Sequence, residues 1–287
     1  MDSETLKQRT ILPLNEKIKL TNQRIHEWYE AWDGDVSVSF SGGKDSTVLL
    51  HLVRSLYPNV RAVFVNTGLE YPEILSFVKT IDNVEWLRPK MPFWKVIEEY
   101  GYPVVSKETA QKIYEARTTK SAKLLFKRMN GDNNKYKSGR IPLKWQYLIK
   151  APFKIHSKCC SVMKKQPMKH ICNPFIGSMA ADSKLRRQKY IRNGGCNSFD
   201  GKIESMPLSF WVEDNVWEYI KDNDLLYSKI YDMGYDRTGC MFCMFGVHLE
   251  KGKNRFQHMK KTHPKHYNYC INKLGCGNVL DHIGVSY

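Results

Sequence analysis

Apolar residues recur near helical spacing over residues 15–32, where Ile18, Ile25 and Trp28 fall on one face. Asp33-Gly34-Asp35 breaks that pattern, and Val36-Ser37-Val38-Ser39-Phe40 then alternates with the period of two expected of a strand. After a polar run rich in glycine, residues 47–56 read as a buried helix that closes before Pro58. Strands are expected again at 61–65 and 84–87, and helices at 71–81 and 93–100. This alternation predicts an α/β fold, a doubly wound and mostly parallel sheet with helices on both faces.

Past about residue 105 the alternation fades. Residues 108–129 read as one helix, 130–134 as a turn or loop, 175–178 as a return to the sheet and 213–222 as a helix. The last fifty or so residues, rich in Cys, Gly, His and Lys, show no clean period, although 278–285 reads as a packed helix or strand. The expected organisation is an α/β domain over 1–206 with a basic insertion at about 107–169. A cysteine-rich C-terminal region over 207–287 packs on it.

A hydrophobic content of 42% excludes a disordered chain, and no run approaches the roughly 18 apolar residues of a membrane span. The polar, acidic start does not resemble a signal peptide, so a cytoplasmic, reducing location is expected. There the eight cysteines favour metal or catalytic work over disulfides. The net charge of +16 is concentrated: residues 107–169 hold 17 Lys and Arg against three acids. Such a block suits a polyanion, tRNA or DNA among them, and equally suits a solvated surface.

Between the first strand and its helix stands Ser41-Gly42-Gly43-Lys44-Asp45-Ser46. Two glycines let backbone N–H groups approach an anion, and the following helix turns its positive end to the same place. Ser41, Ser46 and Thr47 add hydroxyls and Lys44 a point charge. The glycine spacing of the ordinary P-loop is absent. The alternative is a plain polar strand-to-helix turn.

This segment resembles the pyrophosphate loop of the N-type ATP pyrophosphatases and of their relatives, the phosphoadenylyl-sulfate reductases, with the adenine nucleotide alpha hydrolase-like fold. The resemblance implies an adenine nucleotide, ATP with Mg²⁺ or an adenylyl sulfate, with Lys44 and Asp45 as catalytic candidates. Residues 65–73 resemble the family's second strand and turn, which places Asn66, Thr67 and Gly68 beside the nucleotide, Asn66 standing where Asp is commoner. Arg186 and Arg187 lie in a stretch like one that contacts the substrate's sulfate or phosphate end. A solvated basic helical turn is the alternative there. The aromatics of 207–211 and 216–220 read as core.

Cys159-Cys160 and Cys240-Met241-Phe242-Cys243 lie about 80 residues apart, too far for a compact zinc-finger loop. Together they supply the four thiolates a [4Fe–4S] cluster takes. Structural zinc, inert buried cysteines and a redox dithiol remain alternatives. Residues 158–168 and 231–243 resemble the two cysteine segments of the cluster-bearing adenylyl-sulfate reductases. Those reductases end in a Glu-Cys-Gly-Leu-His type tail, of which Cys276-Gly277 is a partial echo. Cys172, Cys196, Cys270 and Cys276 lack paired spacing and read as buried or incidental thiols.

An ATP-type loop, a cluster and a basic block together point to sulfur transfer that forms AMP and pyrophosphate, onto a nucleic-acid or small acceptor. The sulfur donor or a thiol reductant protein would be a further partner. Reduction of adenylyl sulfate or phosphoadenylyl sulfate to sulfite is the second expectation, and a non-catalytic nucleotide-binding or nucleic-acid-binding module the third.

Overall fold

The short alternating run at 36–40 becomes the centre of a sheet. The computed structural model describes residues 2–132 and 138–287. Asn133 and Asn134 of the expected 130–134 turn, and Lys135 and Lys137 of the basic block, lie outside the described residues. Among the described residues the strands are β1 (Ser37–Ser39), β2 (Ala62–Val65), β3 (Val84–Leu87), β4 (Val104–Val105), β5 (Pro174–Ile176), β6 (Asn197–Ser198), β7 (Glu204–Ser205) and β8 (Met244–Phe245). The α-helices are α1 (Ser3–Thr10), α2 (Leu14–Ala31), α3 (Lys44–Leu56), α4 (Pro72–Val78), α5 (Phe93–Glu99), α6 (Lys107–Thr118), α7 (Ala122–Asn130), α8 (Lys184–Arg192), α9 (Glu213–Asp222), α10 (Arg255–Thr262), α11 (Pro264–Asn268) and α12 (Cys276–His282).

The chain forms two units, neither continuous in sequence. The first comprises Met1–Asn66, Tyr71–Leu87 and Met168–Thr238, and the second Thr67–Glu70, Arg88–Pro167 and Gly239–Tyr287. Residue 206, where the sequence pattern suggested a division, falls inside the first unit, because β7 at 204–205 is hydrogen-bonded into that unit's sheet.

The first unit holds a six-stranded sheet in the order β3-β2-β1-β5-β7-β6. Only β6 and β7 pair antiparallel. The register sets Val38 opposite Ala62 on one side and Phe175 on the other. Val38, Ala62, Val63, Phe64 and Phe175 are all buried, as in a parallel sheet covered on both faces. Each such large side chain contributes roughly 1.5–3 kcal/mol by leaving water. From α2, Trp28 is fully buried, and its indole N–H donates to the Asn173 carbonyl at 3.1 Å. Strand order reverses at β1, with β2 on one side and β5 on the other. In open α/β sheets the ligand crevice lies at such a point, beyond the strands' carboxyl ends.

In the second unit β4 and β8 pair in parallel, Val104 opposite Met244. The single helix expected at 108–129 is two, α6 and α7. Thr119 leaves helical geometry, and the Ser121 hydroxyl caps the new start by accepting from Leu124 N–H at 3.3 Å. The Arg117 guanidinium ties this region together, donating to the carbonyls of Ile149 (2.8 Å), Phe153 (2.7 Å) and Ala151. The C-terminal stretch without a clean period is helical. Asn254 and Gln257 form a capping box at α10, and Gly275 begins α12 from φ +65°. Among the described residues no helix is long and apolar enough to cross a membrane.

Candidate functional site

The run 41–46 leaves β1 at the reversal point and enters α3, whose N-cap is Gly43. Gly42 has φ +71°, and a Cβ there would lie 2.8 Å from Val78 Cγ2 and 2.9 Å from Ile74 Cγ2. Only glycine fits. The Ser46 hydroxyl donates to the Gly43 carbonyl at 2.8 Å and accepts from the Ser41 N–H at 3.2 Å, while Thr47 Oγ1 donates to the same carbonyl at 3.1 Å. These bonds hold the loop tight. Gly177 closes it from β5, since a Cβ there would lie 3.1 Å from the Asp45 carbonyl.

Lys44 is buried, with its ammonium 3.0 Å from Glu213 and 3.5 Å from Asp45 Oδ1. Burial disfavours its charge, but Asp45 and Glu213 outweigh this and hold its pKa above the ordinary lysine value. Asp45 is shifted the other way. Burial raises its carboxyl above the usual range despite Lys44, and the Lys44 ammonium is the cation beside its buried Oδ1, at 3.5 Å. The Lys44 N–H donates to the Tyr231 hydroxyl at 2.8 Å, and the ammonium lies 5.5 Å from the Tyr231 ring and 6.0 Å from Trp217.

Asn66 directly follows β2, the neighbour of β1, and its N–H donates to the Leu87 carbonyl at 2.9 Å. Thr67 and Gly68 belong to the second unit, where the Glu70 carboxylate accepts from the Thr67 N–H and hydroxyl at 2.9 and 2.7 Å. Arg186 pairs with Asp182 and feels the Asp45 charge, whereas Arg187 turns to α1 and donates to the Ser3 hydroxyl at 2.8 Å. The two arginines are therefore not equivalent. Among the aromatics expected in the core, Phe210, Trp211 and Tyr219 are buried there, but Trp217 faces Lys44. Glu213, Tyr231 and Trp217 reach Lys44 through tertiary packing, and only the helix at 213–222 was visible in the sequence.

In the second unit the four paired cysteines share one electrostatic neighbourhood. Cys159 is pushed well above the usual thiol range, first by burial and then by Cys160, Cys240 and Cys243. Burial pushes Cys243 up to about 11 and also raises Cys240, against the pull of Lys164. Burial acts to lower the Lys164 pKa, but Cys240 and Glu70 outweigh it and raise it. A one-turn π-helix, Ser161–Lys165, follows Cys160 and brings Lys164 round. Cys243 N–H bonds the Cys240 carbonyl at 3.1 Å just before β8. Among the described residues no group of three His, Cys, Asp or Glu side chains is drawn round one point to hold a single metal ion.

The basic block is partly neutralised within the chain. Lys112 pairs with Glu108, Lys127 with Asp132 and Arg128 with Glu115, and Arg117 is consumed by carbonyls. Lys107, Lys120, Lys123 and Lys150 stay exposed. Cys276, at the start of α12, is fully buried, as is Cys270, whose thiol it pushes far above the usual range.

The family model of the phosphoadenosine phosphosulfate reductase domain matches residues 35–124 and 94–245. An uncharacterised protein of Methanocaldococcus jannaschii, MJ0973, is 25% identical over 83% of this chain, which spans 47% of that protein's length. The adenosine 5'-phosphosulfate reductase of Staphylococcus epidermidis is 24% identical, covering 81% of this chain and 79% of that one. A crystal structure of phosphoadenylyl-sulfate reductase from Candida auris, a phosphate complex, aligns with 84% of this chain and 96% of its own, at 15% identity and TM-score 0.44.

Proposed function

This chain belongs to the phosphoadenosine phosphosulfate reductase domain family, a family of enzymes, and from that premise we propose that it splits ATP to AMP and pyrophosphate to drive sulfur transfer. The observation that carries this reading is the 41–46 loop, with buried Lys44 at the start of α3, set where the strand order reverses. Gly42 and Gly43 would let the backbone meet the phosphates, with Ser41, Ser46 and Lys44 around them. Asn66, just past β2, would face the nucleoside, and Arg186 rather than Arg187 would meet a terminal phosphate. The buried carboxylate oxygen Oδ1 of Asp45, which the Lys44 ammonium approaches only to 3.5 Å, suits the Mg²⁺ that accompanies ATP.

An acceptor oxygen would attack the α-phosphorus, forming an O–P bond as the bond to the bridging oxygen breaks and pyrophosphate leaves. Lys44 and the loop amides would neutralise the charge growing on the departing pyrophosphate. A sulfide-class sulfur then displaces AMP from the acceptor, with no net redox change. The donor set of Cys159, Cys160, Cys240 and Cys243 fits a [4Fe–4S] cluster, which when bound would supply iron able to hold that sulfur. Lys164 would neutralise charge at Cys240. Support for a nucleic-acid acceptor lies in the lysines of 107–169 that stay exposed.

A second reading, reduction of adenylyl sulfate to sulfite, is favoured by the named activity of the Staphylococcus epidermidis relative. Buried Cys276 is not placed to attack a sulfate sulfur, so this route would use an external thiol protein. The test is anaerobic incubation with ATP, sulfide and tRNA or small acceptors, beside adenylyl sulfate plus thioredoxin-type thiol. AMP and pyrophosphate formation supports sulfur transfer. Catalytic sulfite release without pyrophosphate installs the second reading, and no turnover of either leaves a binding module.

A further inference from the structure

The N–H groups of a helix's first turn have no partner within the helix, and an anion bound there takes them. At α3 one of these donors is already engaged by a side chain from elsewhere in the first unit. The Lys44 N–H donates to the Tyr231 hydroxyl at 2.8 Å. That oxygen lies 3.3 Å from the position a Gly43 Cβ would take, and Thr238 Oγ1 lies 2.6 Å from the same point. The two hydroxyls, 3.5 Å apart, therefore sit on the face of the turn that Gly43 keeps open. The Lys44 ammonium is likewise engaged by protein oxygens, the Glu213 carboxylate at 3.0 Å and the Asp236 carbonyl at 3.4 Å.

We propose that the Tyr231 hydroxyl stands in for a phosphate oxygen on the loop and is displaced when a nucleotide phosphate binds. The inference rests on reading 41–46 as the phosphate loop and adds a gate that the family match does not supply. The competition has a clear winner. Burial keeps the Tyr231 phenol protonated well past neutral pH, so the incumbent acceptor is uncharged. A phosphate oxygen forms charge-assisted bonds to the same N–H and to Lys44, roughly twice as strong as neutral ones. In the segment carrying Tyr231, Asp232, Gly234, Asp236 and Arg237 are exposed, while Tyr235 anchors it, buried with its ring 4.7 Å from that of Tyr71. What steadies the ring is edge-on packing against Trp217 at 5.3 Å and Tyr227 at 6.3 Å.

The test titrates inorganic pyrophosphate into wild type and Tyr231→Phe by calorimetry, the variant keeping the ring and its packing. With one hydrogen bond fewer to break, the variant should bind pyrophosphate about threefold to tenfold tighter. In wild type, amide hydrogen exchange over residues 227–238 should quicken when pyrophosphate is added, a readout independent of any variant. Equal affinity in the two proteins, with exchange unchanged in wild type, overturns the gate and leaves the loop reading standing. Weaker binding by Tyr231→Phe also overturns it, by making the hydroxyl a ligand. Failure of both proteins to bind pyrophosphate overturns the gate together with the loop reading.

Discussion

The Lys44 ammonium and the Glu213 carboxylate lie 3.0 Å apart, an ion pair between the first residues of α3 and α9. Glu213 suits the positive end of its helix, whereas a cation at the first position of α3 opposes that helix's dipole. Lys44 is held there by its two carboxylate neighbours, anions that a bound phosphate would have to compete with in the proposed site. Glu213→Gln should therefore tighten pyrophosphate binding severalfold by removing a competing anion. Because Glu213 is half exposed, stability should fall by no more than about 1 kcal/mol. Weaker pyrophosphate binding in this variant would show instead that Glu213 is needed to place Lys44.

Asp45 supplies a pH-dependent counterpart. Its folded pKa lies above the ordinary carboxyl value, chiefly through burial, so the ionised group destabilises the fold at neutral pH. That penalty is full above the folded pKa and vanishes below the unfolded one, where both states are protonated. Asp45→Asn should melt higher than wild type at pH 7, with the gap closing as pH falls toward about 4. It should also weaken ATP binding in the presence of Mg²⁺. A melting difference that does not change with pH would contradict the assignment.

Much of the site could be read locally because its parts are local. The 41–46 turn lies between a period-two run and an apolar helix, and α9 falls at the expected 213–222. The two cysteine pairs were visible as pairs. That they share one neighbourhood depends on folding across about 80 residues, which no local pattern encodes. Tyr231 and Glu213 are invisible as Lys44 partners for the same reason. Helices α10, α11 and α12 span only five to eight residues, too few to display a period, and the break after α6 rests on the single cap Ser121.

The thiol set makes a metal prediction. Protein prepared without oxygen should carry about four irons per chain, and Ser in place of Cys159, Cys160, Cys240 or Cys243 should lower that count. Cys172→Ser and Cys276→Ser should keep it. One zinc per chain and no iron would assign the same thiols to a structural zinc site.

Arg117 shows that charge in the basic block also builds the fold. Arg117→Ala would strand three carbonyls that the guanidinium now serves, and should cost about 3 kcal/mol or more by urea unfolding. Arg117→Lys should not rescue it, since one ammonium cannot reproduce the planar fork. By contrast, reversing exposed Lys120 and Lys123 to Glu should leave stability nearly unchanged and lower the salt slope of any tRNA or DNA binding by about one per residue. Loss of stability in that pair, or retention in Arg117→Ala, would reverse these roles.

Calorimetric titration of ATP into wild type, Lys44→Ala and Gly43→Val tests the phosphate loop most directly. Wild type should bind with micromolar affinity. Both variants should bind at least tenfold more weakly, Lys44→Ala by losing the buried charge. Gly43→Val acts by filling the face of the turn, where even a Cβ would come within 2.6 Å of Thr238 Oγ1. Unchanged ATP affinity in both variants, with their folds intact by circular dichroism, would contradict the placement of the nucleotide on residues 41–46.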